Sequence, residues 1–541
     1  MVTLLPCRAW YAAHSPVEIE VRGLEETRPA GLVLRSHRLG RLSGSVGVEG
    51  EGVVTLSPAG ADGLGLGGHA VELCAADGQV LARTAVEVRD AGPSATRYGF
   101  VAAYERGRDL SGVLDWARAQ HLTTIQFYDW AFRHADLMGA GESYADPLGN
   151  PVDLATVRAL IEALHEIRVD AIGYAAVYGI GVEDWPAWEH RALLDAEGTA
   201  YGLGDFLQVI DPAAPDWLVH LGSMLRAARE SVGFDGFHLD QYGWPKLAVT
   251  PDGRRVDVAE SFVTMLNGVR DAVPDATLIF NNVNDFPTRV TATQAPVDTT
   301  YIEVWSPHDR LGDLARLATS ARDLAPDRPV VLAAYPSAVA GADEAEAAEG
   351  VRLELAAAYS HGATVLLAGE DGRVLVDPYY PRNQPAGPAL REVLTRYADF
   401  QLAHADLLTG ADVADVTGAY AGAYNDDVEV RGSQTPIGGQ ADEGTIWRRV
   451  VETPAGLVVH LINLLAVTDP LWDSAHPAPA DPGPLTLRVR RVGPEPVRVW
   501  SADPDAAGRL ERLEGVVSVG SHAEIALPPL RTWQLVWIES R

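Results

Sequence analysis

Hydrophobic and polar residues alternate with a period of two in the first part of the chain. In residues 1–96, runs such as Val17–Val21 and Val53–Leu56 are separated by clusters of turn-forming residues. Alternation of this kind predicts β-strands that bury one face, and the short spacing predicts an immunoglobulin-like β-sandwich. The segment Asp90–Ser94 is typical of a linker. We therefore predict a first domain over residues 1–96.

From residue 97 the pattern changes to short apolar runs that alternate with segments of helical period. Apolar residues recur at helical spacing from Val157 to Ile167 and again from Phe262 to Val273. The strand candidates between such segments lie at residues 98–104, 123–128, 170–177, 234–239, 277–280, 299–304, 329–334 and 363–368. Eight strand and helix steps predict a central (β/α)8 barrel, a TIM barrel, over residues 97–405.

An open doubly wound sheet shares this strand and helix rhythm and is the structural alternative. Such a sheet normally carries a glycine-rich phosphate-binding turn after its first strand. The glycine-rich run at residues 63–68 lies instead in the first domain, before a strand candidate, where a loop is the better interpretation.

Beyond residue 405 the period of two returns. Gly456–Ile462 and Leu485–Val489 are strand candidates, and a loop rich in Pro, Ala and Asp lies between them. We predict a C-terminal all-β domain over residues 406–541. The whole chain is then multidomain, as its length of 541 residues implies, because single cores stop growing near ~250–300 residues.

Composition narrows the class of partner. The formal net charge is −31, and no block of Lys and Arg occurs, so nucleic acid and anionic membranes are poor partners and a neutral substrate fits better. No run of ~18 apolar residues could span a bilayer. The two cysteines, Cys7 and Cys74, are too few for a disulfide framework, although one bridge stays open. The oligomeric state stays open as well.

The opening residues do not have the form of a signal peptide. Pro6 and Arg8 interrupt the apolar run, and no basic segment precedes it. We expect a cytoplasmic location, unless a leader has been removed. No cofactor is expected.

Polar residues stand where several predicted strands end, which in a barrel is the face that carries the active site. Asp240 and Glu303 end the fourth and sixth strands and are expected to face each other across a central pocket. Paired carboxylates are what cleavage of a glycosidic bond requires. Asp129 and Glu370, which also stand at strand ends, are candidates to bind substrate, although either of them taken alone is more often a partner in a structural ion pair. Asn281, after the fifth strand, is a further candidate to bind substrate.

Aromatic residues follow these acids closely. Trp130, Trp244 and Trp305 come just after Asp129, Asp240 and Glu303, where flat rings could stack on sugar, although each could instead pack in the core. Because there is no HExxH motif and no pair of cysteines, we expect no metal site. The remaining candidates for structural or substrate-binding roles are Tyr128, His134, Tyr178, His238 and Gln241.

These motifs together resemble glycoside hydrolase family 66, the family of endo-dextranases and cycloisomaltooligosaccharide glucanotransferases. The resemblance rests on the segments Arg97–Phe100, Gln126–Trp130 with His134, Asp235–Asp240, Glu303–Trp305 and Pro378–Pro381. It implies a retaining mechanism on α-1,6-linked glucans, with Asp240 as nucleophile, Glu303 as acid/base and Asp129 as a further acid next to the cleaved bond.

Three functions follow as hypotheses. The first is hydrolysis of dextran or isomaltooligosaccharides, the second is transfer to a sugar acceptor, including cyclisation, and the third is glucan binding without catalysis. We expect burial beside Ile302 and Val304 to raise the pKa of Glu303, and Gln241 and Tyr242 to hold Asp240 ionised. The roughly 28-residue connection between the seventh and eighth strands is mostly helix-prone, so no inserted binding module is expected there.

Overall fold

The computed structural model describes residues 2–24, 31–58, 64–139, 141–420, 425–432, 435–493 and 495–540. Its centre is a sheet of eight parallel strands that pair in chain order, as predicted. The strands are β1 (Tyr98–Val101), β2 (Thr124–Phe127), β3 (Asp170–Ala176), β4 (Gly236–Asp240), β5 (Thr277–Val283), β6 (Thr299–Glu303), β7 (Val330–Ala333) and β8 (Ala363–Val365). Each of the eight predicted strand segments overlaps one of them, although β4 and β5 extend beyond the predicted ends at residues 239 and 280. The strand order excludes the open doubly wound sheet.

The sheet curls into a nearly closed barrel. At the seam between β8 and β1, the hydroxyl of Thr364 donates to the carbonyl of Thr96 at 2.6 Å. The chain then passes β1 so closely that a Cβ atom on Gly369 would lie 2.3 Å from the ring of Phe100. Only glycine allows this approach.

A helix follows each barrel strand. These helices are α1 (Ser111–Ala119), α2 (Leu154–Glu166), α3 (Pro215–Val232), α4 (Val258–Ala272), α5 (Thr288–Gln294), α6 (Leu311–Leu324), α7 (Glu344–Ser360) and α8 (Pro388–Ala403). Asp153, Asp257 and Asp343 stand at the N-caps of α2, α4 and α7, where each side chain accepts from a backbone N–H of the first turn. The helical periods in the sequence are confirmed by α2 and α4. Short helices also cover Trp185–Trp188 and Ala405–Leu408.

Side-chain parity along the strands separates two apolar layers. Phe237, Leu239, Leu278 and Phe280 point outward and are fully buried under the helices. The alternate positions point into the barrel, where Tyr98, Phe100, Ile172, Ile279, Tyr301, Val331 and Leu366 form a separate core cluster. A period of two therefore puts the residues two places apart, such as His238 and Asp240, on the inner face.

Smaller sheets surround the barrel. The N-terminal part contains a three-stranded sheet and a five-stranded sheet, and the C-terminal part contains a seven-stranded and a four-stranded sheet. The N-terminal strands are Thr3–Pro6, Val17–Arg22 and Gly52–Leu56, and then Tyr11–Ala12, Leu32–Arg38, Arg41–Val48, Gly67–Cys74 and Val80–Arg89. In the run at 63–68, residue 63 lies outside the described residues, and Gly67 and Gly68 already belong to a strand. The immunoglobulin-like class and the domain boundaries at 96 and 405 stay predictions.

The C-terminal sheets pack on the barrel helices through one continuous apolar cluster that includes Trp447, Trp533 and Trp537. The seven-stranded sheet contains Ala414–Asp415, Ile437–Gly438, Ile446–Thr453, Gly456–Asn463, Val499–Ala502, Glu511–Arg512 and Trp533–Glu539. The four-stranded sheet contains Val428–Gly432, Leu485–Arg490, Val517–Val519 and His522–Ala526.

Four short sheets lie in the loops of the barrel. Their strands are Ser143–Ala145 with Pro151–Asp153, Gly179–Gly181 with Leu207–Val209 and Gly202–Leu203, Leu247–Val249 with Arg255–Asp257, and Ala368–Gly369 with Arg373–Val374 and Gln384–Pro385. Among the described residues, no helix combines the length and the apolar character needed to cross a membrane.

A buried ion pair ties the N-terminal strands to the barrel. Arg97, which precedes β1, donates to Glu87 at 3.1 Å, and both side chains are at most 5% exposed. Glu87→Ala leaves this guanidinium without its counter-charge, so we expect the free energy of unfolding to fall by about 3–5 kcal/mol. Urea unfolding measures this loss.

The control for that substitution is Arg106→Ala. Arg106 is 83% exposed and pairs with Asp153 at 3.2 Å, so its loss is expected to cost under about 1 kcal/mol. Equal, small losses for both variants would contradict the assignment of a stabilising role to the buried pair.

Candidate active site

Three neighbouring strands deliver the polar groups at the centre of the barrel. Asp240 ends β4, Glu303 ends β6, and Asn281 lies on β5 between them. Each of the three has the inward parity of its strand, because the residues next to it in sequence, such as Phe280 and Ile302, are fully buried on the outer side. This shared rim explains why the apolar strands β4 and β6 end on carboxylates.

The two carboxylates lie close together. The Nδ2 atom of Asn281 donates to Oδ1 of Asp240 at 2.7 Å and to Oε2 of Glu303 at 3.0 Å. Because both hydrogen bonds start at one atom, the two oxygens cannot be farther apart than the sum of these two distances. Two acids within this reach can act together on one bond.

Two tyrosines hold the outer oxygens of the pair. The hydroxyl of Tyr174 donates to Oδ2 of Asp240 at 2.7 Å, and the hydroxyl of Tyr335 donates to Oε1 of Glu303 at 2.8 Å. Asp240 therefore accepts side-chain hydrogen bonds from Asn281 and Tyr174, and Glu303 accepts them from Asn281, Tyr335 and Trp305. These bonds fix the orientation of both groups.

The electrostatics of the pair favour one shared proton. Burial raises the pKa of Asp240 to about 7, and the charge of Glu303 contributes to the rise. Burial also raises the pKa of Glu303, as the sequence analysis expected, while hydrogen bonds from Asn281 and Tyr335 act in the opposite direction. Two buried like charges cannot both ionise easily, so near neutral pH the pair carries close to one proton.

The expectation that Gln241 and Tyr242 hold Asp240 ionised is confirmed only for the backbone of Gln241, whose hydrogen bond lowers the pKa of Asp240. The side-chain amide of Gln241 donates instead to the carbonyls of Asn281 and Phe286. The hydroxyl of Tyr242 has no hydrogen-bond partner among the described residues. Asn281 and Tyr174 supply the side-chain donors to Asp240.

A cavity of about 520 Å³ opens onto the pair. It brings together ten of the residues predicted from the sequence. These are Tyr128, Asp129, His134, His238, Asp240, Gln241, Trp244, Asn281, Glu303 and Trp305. Trp305 and Tyr379 are 36% and 40% exposed at the cavity, so their rings present free faces for an apolar or sugar surface.

Asp129 is buried in the cavity wall at a strained position. Its φ of 43° is in the left-handed region, and it lies two residues beyond the end of β2. Burial raises its pKa well above the usual value, with smaller contributions from the charges of Asp146 and Asp240. On the same wall, burial lowers the pKa of His134 to about 4 and that of His238 to about 3, so both rings are neutral near pH 7.

The predicted substrate-binding roles of Trp130 and Tyr178 are corrected. Both side chains are fully buried and lie outside the cavity lining. Trp130 packs 4.7 Å from the ring of Phe234, and its indole N–H donates to the carbonyl of Tyr174. The hydroxyl of Tyr178 donates to the carbonyl of Trp244. Both residues support the residues of the cavity from behind.

Glu370 is also corrected, and the simpler interpretation of a strand-end carboxylate applies to it. It lies outside the cavity lining and pairs with Arg108 at 2.7 Å. It also accepts from the backbone N–H groups of Ala102 and Ala103 and from the amide of Asn383. Its role is to join the ends of the first and eighth strands.

Sequence reasoning missed the two tyrosines that contact the acids. Tyr174 lies in the middle of β3, where an aromatic residue indicates core packing, and Tyr335 lies just beyond β7. Their inward parity was the available signal. The cavity lining also includes Phe206 from the loops above the barrel. Among the described residues, no group of three or more His, Cys, Asp or Glu side chains is arranged to hold a metal ion.

Comparison with known proteins gives relatives along most of the chain. The cycloisomaltooligosaccharide glucanotransferase of Niallia circulans is 21% identical over an alignment that covers 82% of this chain and 62% of the relative. The dextranase of Streptococcus salivarius is 22% identical and is matched over 84% of this chain and 65% of its own length. The chain thus spans less than two thirds of the length of either relative.

Solved structures show the same fold. A crystal structure of a Paenibacillus sp. cycloisomaltooligosaccharide glucanotransferase, complexed with cycloisomaltoheptaose, aligns over 99% of this chain and 100% of its own at a TM-score of 0.85 and 19% identity. The family model described as glycosyl hydrolase family 66 matches residues 63–537. The resemblance stated from the motifs is confirmed, and the chain belongs to glycosyl hydrolase family 66.

Proposed function

We propose that this protein is a retaining glycoside hydrolase that cleaves α-1,6-glucosidic bonds of dextran or isomaltooligosaccharides. The observation that supports retention is the Asn281 amide bonded to both acids. Retaining enzymes hold their two carboxyl groups about 5–5.5 Å apart, whereas inverting enzymes separate them by about 6.5–9.5 Å to admit a water molecule. The limit set by the two bonds of 2.7 and 3.0 Å favours the shorter class.

In the proposed mechanism Asp240 attacks the anomeric carbon while protonated Glu303 donates to the departing glycosidic oxygen. A glucosyl ester of Asp240 forms, and Glu303 becomes a carboxylate. It then takes a proton from water as the water oxygen attacks the same carbon and Asp240 leaves. The pair begins and ends with one proton, which fits the two raised pKa values.

The proposed substrate class rests on the cavity and on the relatives. Exposed faces of Trp305 and Tyr379 suit the C–H faces of neutral sugars, and buried Asp129 suits sugar hydroxyls. The names of the two relatives denote enzymes of dextran and of cyclic isomaltooligosaccharides. The α-1,6 linkage for this chain is part of the proposal.

Transfer to a sugar acceptor is the second candidate, because it uses the same acids and differs only in what meets the glucosyl ester. Cyclisation is included in this candidate because the similar glucanotransferase was solved in complex with cycloisomaltoheptaose. The connection from β7 to β8 favours hydrolysis, since it consists of a short 3-10 turn, Ser337–Ala340, and helix α7. That connection contains no further module to tether a long chain near the ester.

Glucan binding without catalysis is the least supported alternative. Both acids are in place, are bonded to each other through Asn281, and have pKa values raised by burial. A protein that only binds sugar has no need of two buried acids that share a proton.

The first test concerns the two acids. Asp240→Asn and Glu303→Gln keep the size of each side chain but remove the nucleophile and the proton donor, so each is expected to lower turnover of dextran at least 10²-fold. Initial rates from reducing-end assays measure this. Azide should restore turnover of an activated aryl glucoside by Glu303→Gln, because the small anion needs no base.

The matched control is Asp285→Asn. Asp285 follows β5 outside the cavity lining and has a φ of 67°, which Asn tolerates. It should retain most of the activity. Retention of more than a tenth of the rate by either acid variant on a poor leaving group would remove that acid from its assigned role.

The second test concerns the exposed ring of Trp305. Trp305→Ala removes a face that stacks on sugar, so KM for isomaltooligosaccharides should rise about 2–10-fold, in line with an aromatic contact of about 0.5–1.5 kcal/mol. Trp185→Ala, outside the cavity lining, serves as control. Equal changes in KM for the two variants would contradict a direct contact between Trp305 and the substrate.

The third test concerns the products. Dextran and isomaltooligosaccharides are incubated with the protein, and the products are followed by mass spectrometry and by NMR of the first-formed anomer. We expect linear products released as the α-anomer, because water attacks the ester on the face from which the leaving group departed. A first-formed β-anomer would indicate inversion, and cyclic products as the main fraction, lighter by one water, would promote the transferase.

A further inference from the structure

Asn281 has a position that no neighbouring residue shares. It lies on β5, between the strands that carry Asp240 and Glu303, and its side chain points into the barrel. Among the described residues, Asn281 alone donates hydrogen bonds to both acids, whereas the hydroxyl of Tyr174 donates to Asp240 and the hydroxyl of Tyr335 donates to Glu303. The central strand is therefore the place from which one group can reach both carboxylates.

The orientation of this amide is dictated by its neighbours. Two carboxyl groups face it, and a carboxylate only accepts hydrogen bonds, so the nitrogen end with its two N–H donors must point toward them. The opposite end, Oδ1, is then buried and has no hydrogen-bond partner within the described part of the chain. A buried orphan acceptor is unfavourable, and the protein retains it in exchange for two charge-assisted hydrogen bonds.

We propose that Asn281 is a positioning residue that clamps Asp240 and Glu303 at the spacing of a retaining pair and lets them share one proton. This role is separate from the substrate-binding role expected from the sequence, which stays a prediction. It rests on the proposed function only for what the pair does to a glucan. The clamp itself is a property of the folded protein and exists without substrate.

The electrostatic role follows from the donors. An N–H bond to a carboxylate stabilises its charged form, so the amide lowers the energy of either acid when that acid is ionised. Without the amide, no hydrogen bond from Asn281 offsets the effects of burial and mutual repulsion, which both raise the pKa of the two acids. Both carboxyl groups then stay protonated to higher pH. Besides Tyr174 and Tyr335, the other titratable side chains that line the cavity are Asp129, His134, His238, Tyr128, Tyr242, Tyr301, Tyr379 and Tyr380.

These surrounding groups do not obscure a comparison between variants. Tyr128, Tyr242, Tyr301 and Tyr380 have pKa values raised by burial and stay neutral below pH 8. Burial lowers the pKa of His134 to about 4 and that of His238 to about 3, so both rings stay neutral above about pH 5. Burial, which the substitutions leave unchanged, is the main cause of the raised pKa of Asp129, and the charge of Asp240 is a smaller cause. Differences between the wild type and a variant at Asn281 therefore report mainly on Asp240 and Glu303.

The test is the melting temperature as a function of pH, which needs no substrate. Both acids have folded pKa values above their unfolded values, so their contribution to stability is full at low pH and declines as pH rises through the folded pKa, about 7 for Asp240. Asn281→Ala raises these pKa values further. We call the difference between the melting temperature of the wild type and that of the variant the deficit. The deficit of Asn281→Ala should be larger at pH 8 than at pH 4, by on the order of 2 °C.

Asn282→Ala is the matched control. Asn282 is the next residue, is equally buried, and bonds to the carbonyls of Phe280 and Tyr301 and to the hydroxyl of Thr291, all neutral groups. Its deficit should be the same at pH 4 and pH 8. A deficit for Asn281→Ala that is equally independent of pH would overturn the clamp.

Asn281→Asp keeps the shape of the side chain and provides a second measurement if the alanine variant does not fold. Because this variant puts a third carboxyl group beside the pair, its deficit in melting temperature should be large at pH 8 and smaller at pH 4. A deficit that does not change with pH would again refute the proposal. If the protein turns over no α-1,6-glucan, the proposed function fails while these melting data still decide the role of Asn281.

Turnover, where it is present, provides an independent readout. Asn281→Ala should move both limbs of the pH–rate profile upward by about one pH unit, because each acid loses one charge-assisted hydrogen bond. Tyr174→Phe and Tyr335→Phe each remove a donor from one acid only and should move mainly one limb, the acidic and the alkaline limb respectively. An unshifted profile with a lower plateau for Asn281→Ala would contradict the proposal.

Discussion

Burying Asp240 and Glu303 beside each other is unfavourable twice over, because each loses hydration and each repels the other when both are charged. The interior of the barrel is arranged to offset this. Tyr174 and Tyr335 bind the outer oxygens of the two groups, and Asn281 binds the inner ones. One shared proton removes the remaining repulsion. The reactive pair is therefore stable only as a unit, with five side chains that depend on one another.

The rest of the fold holds this unit in place through packing. Below the pair, the inward residues of the strands, such as Ile279 and Tyr301, fill the barrel and prevent water from reaching the acids from that end. Around the barrel, the helices and the C-terminal strands share one apolar cluster, which includes Trp533 and Trp537. Buried ion pairs such as Arg97 with Glu87 connect the N-terminal strands to the same body. The active-site rim is thus supported from several sides.

The sequence predicts the barrel well because apolar strand runs and helical periods are local signals. It also predicts that Asp240 and Glu303 meet, because the ends of parallel strands share one rim. Closeness in sequence to an acid does not give the direction of a side chain. For this reason the sequence predicts a sugar-binding role for Trp130, whereas its side chain packs behind the cavity. Tyr174 was missed because a tyrosine within a strand has the same pattern as a core residue. The direction of a side chain beyond a strand end depends on tertiary contacts.

The bridging amide also explains how one site can serve both steps of the proposed reaction. Before attack the negative charge is on Asp240, and after the glucosyl ester has formed it is on Glu303. The net charge of the pair stays the same, but its location moves from one side of Asn281 to the other. Because the two N–H groups of a single amide already point to both acids, neither step requires the protein to reorganise its donors, which is the condition for efficient electrostatic stabilisation. In the proposed reaction, the acids treat the hydroxyl of water and the hydroxyl of a sugar alike, so the choice of acceptor does not depend on the bridging amide.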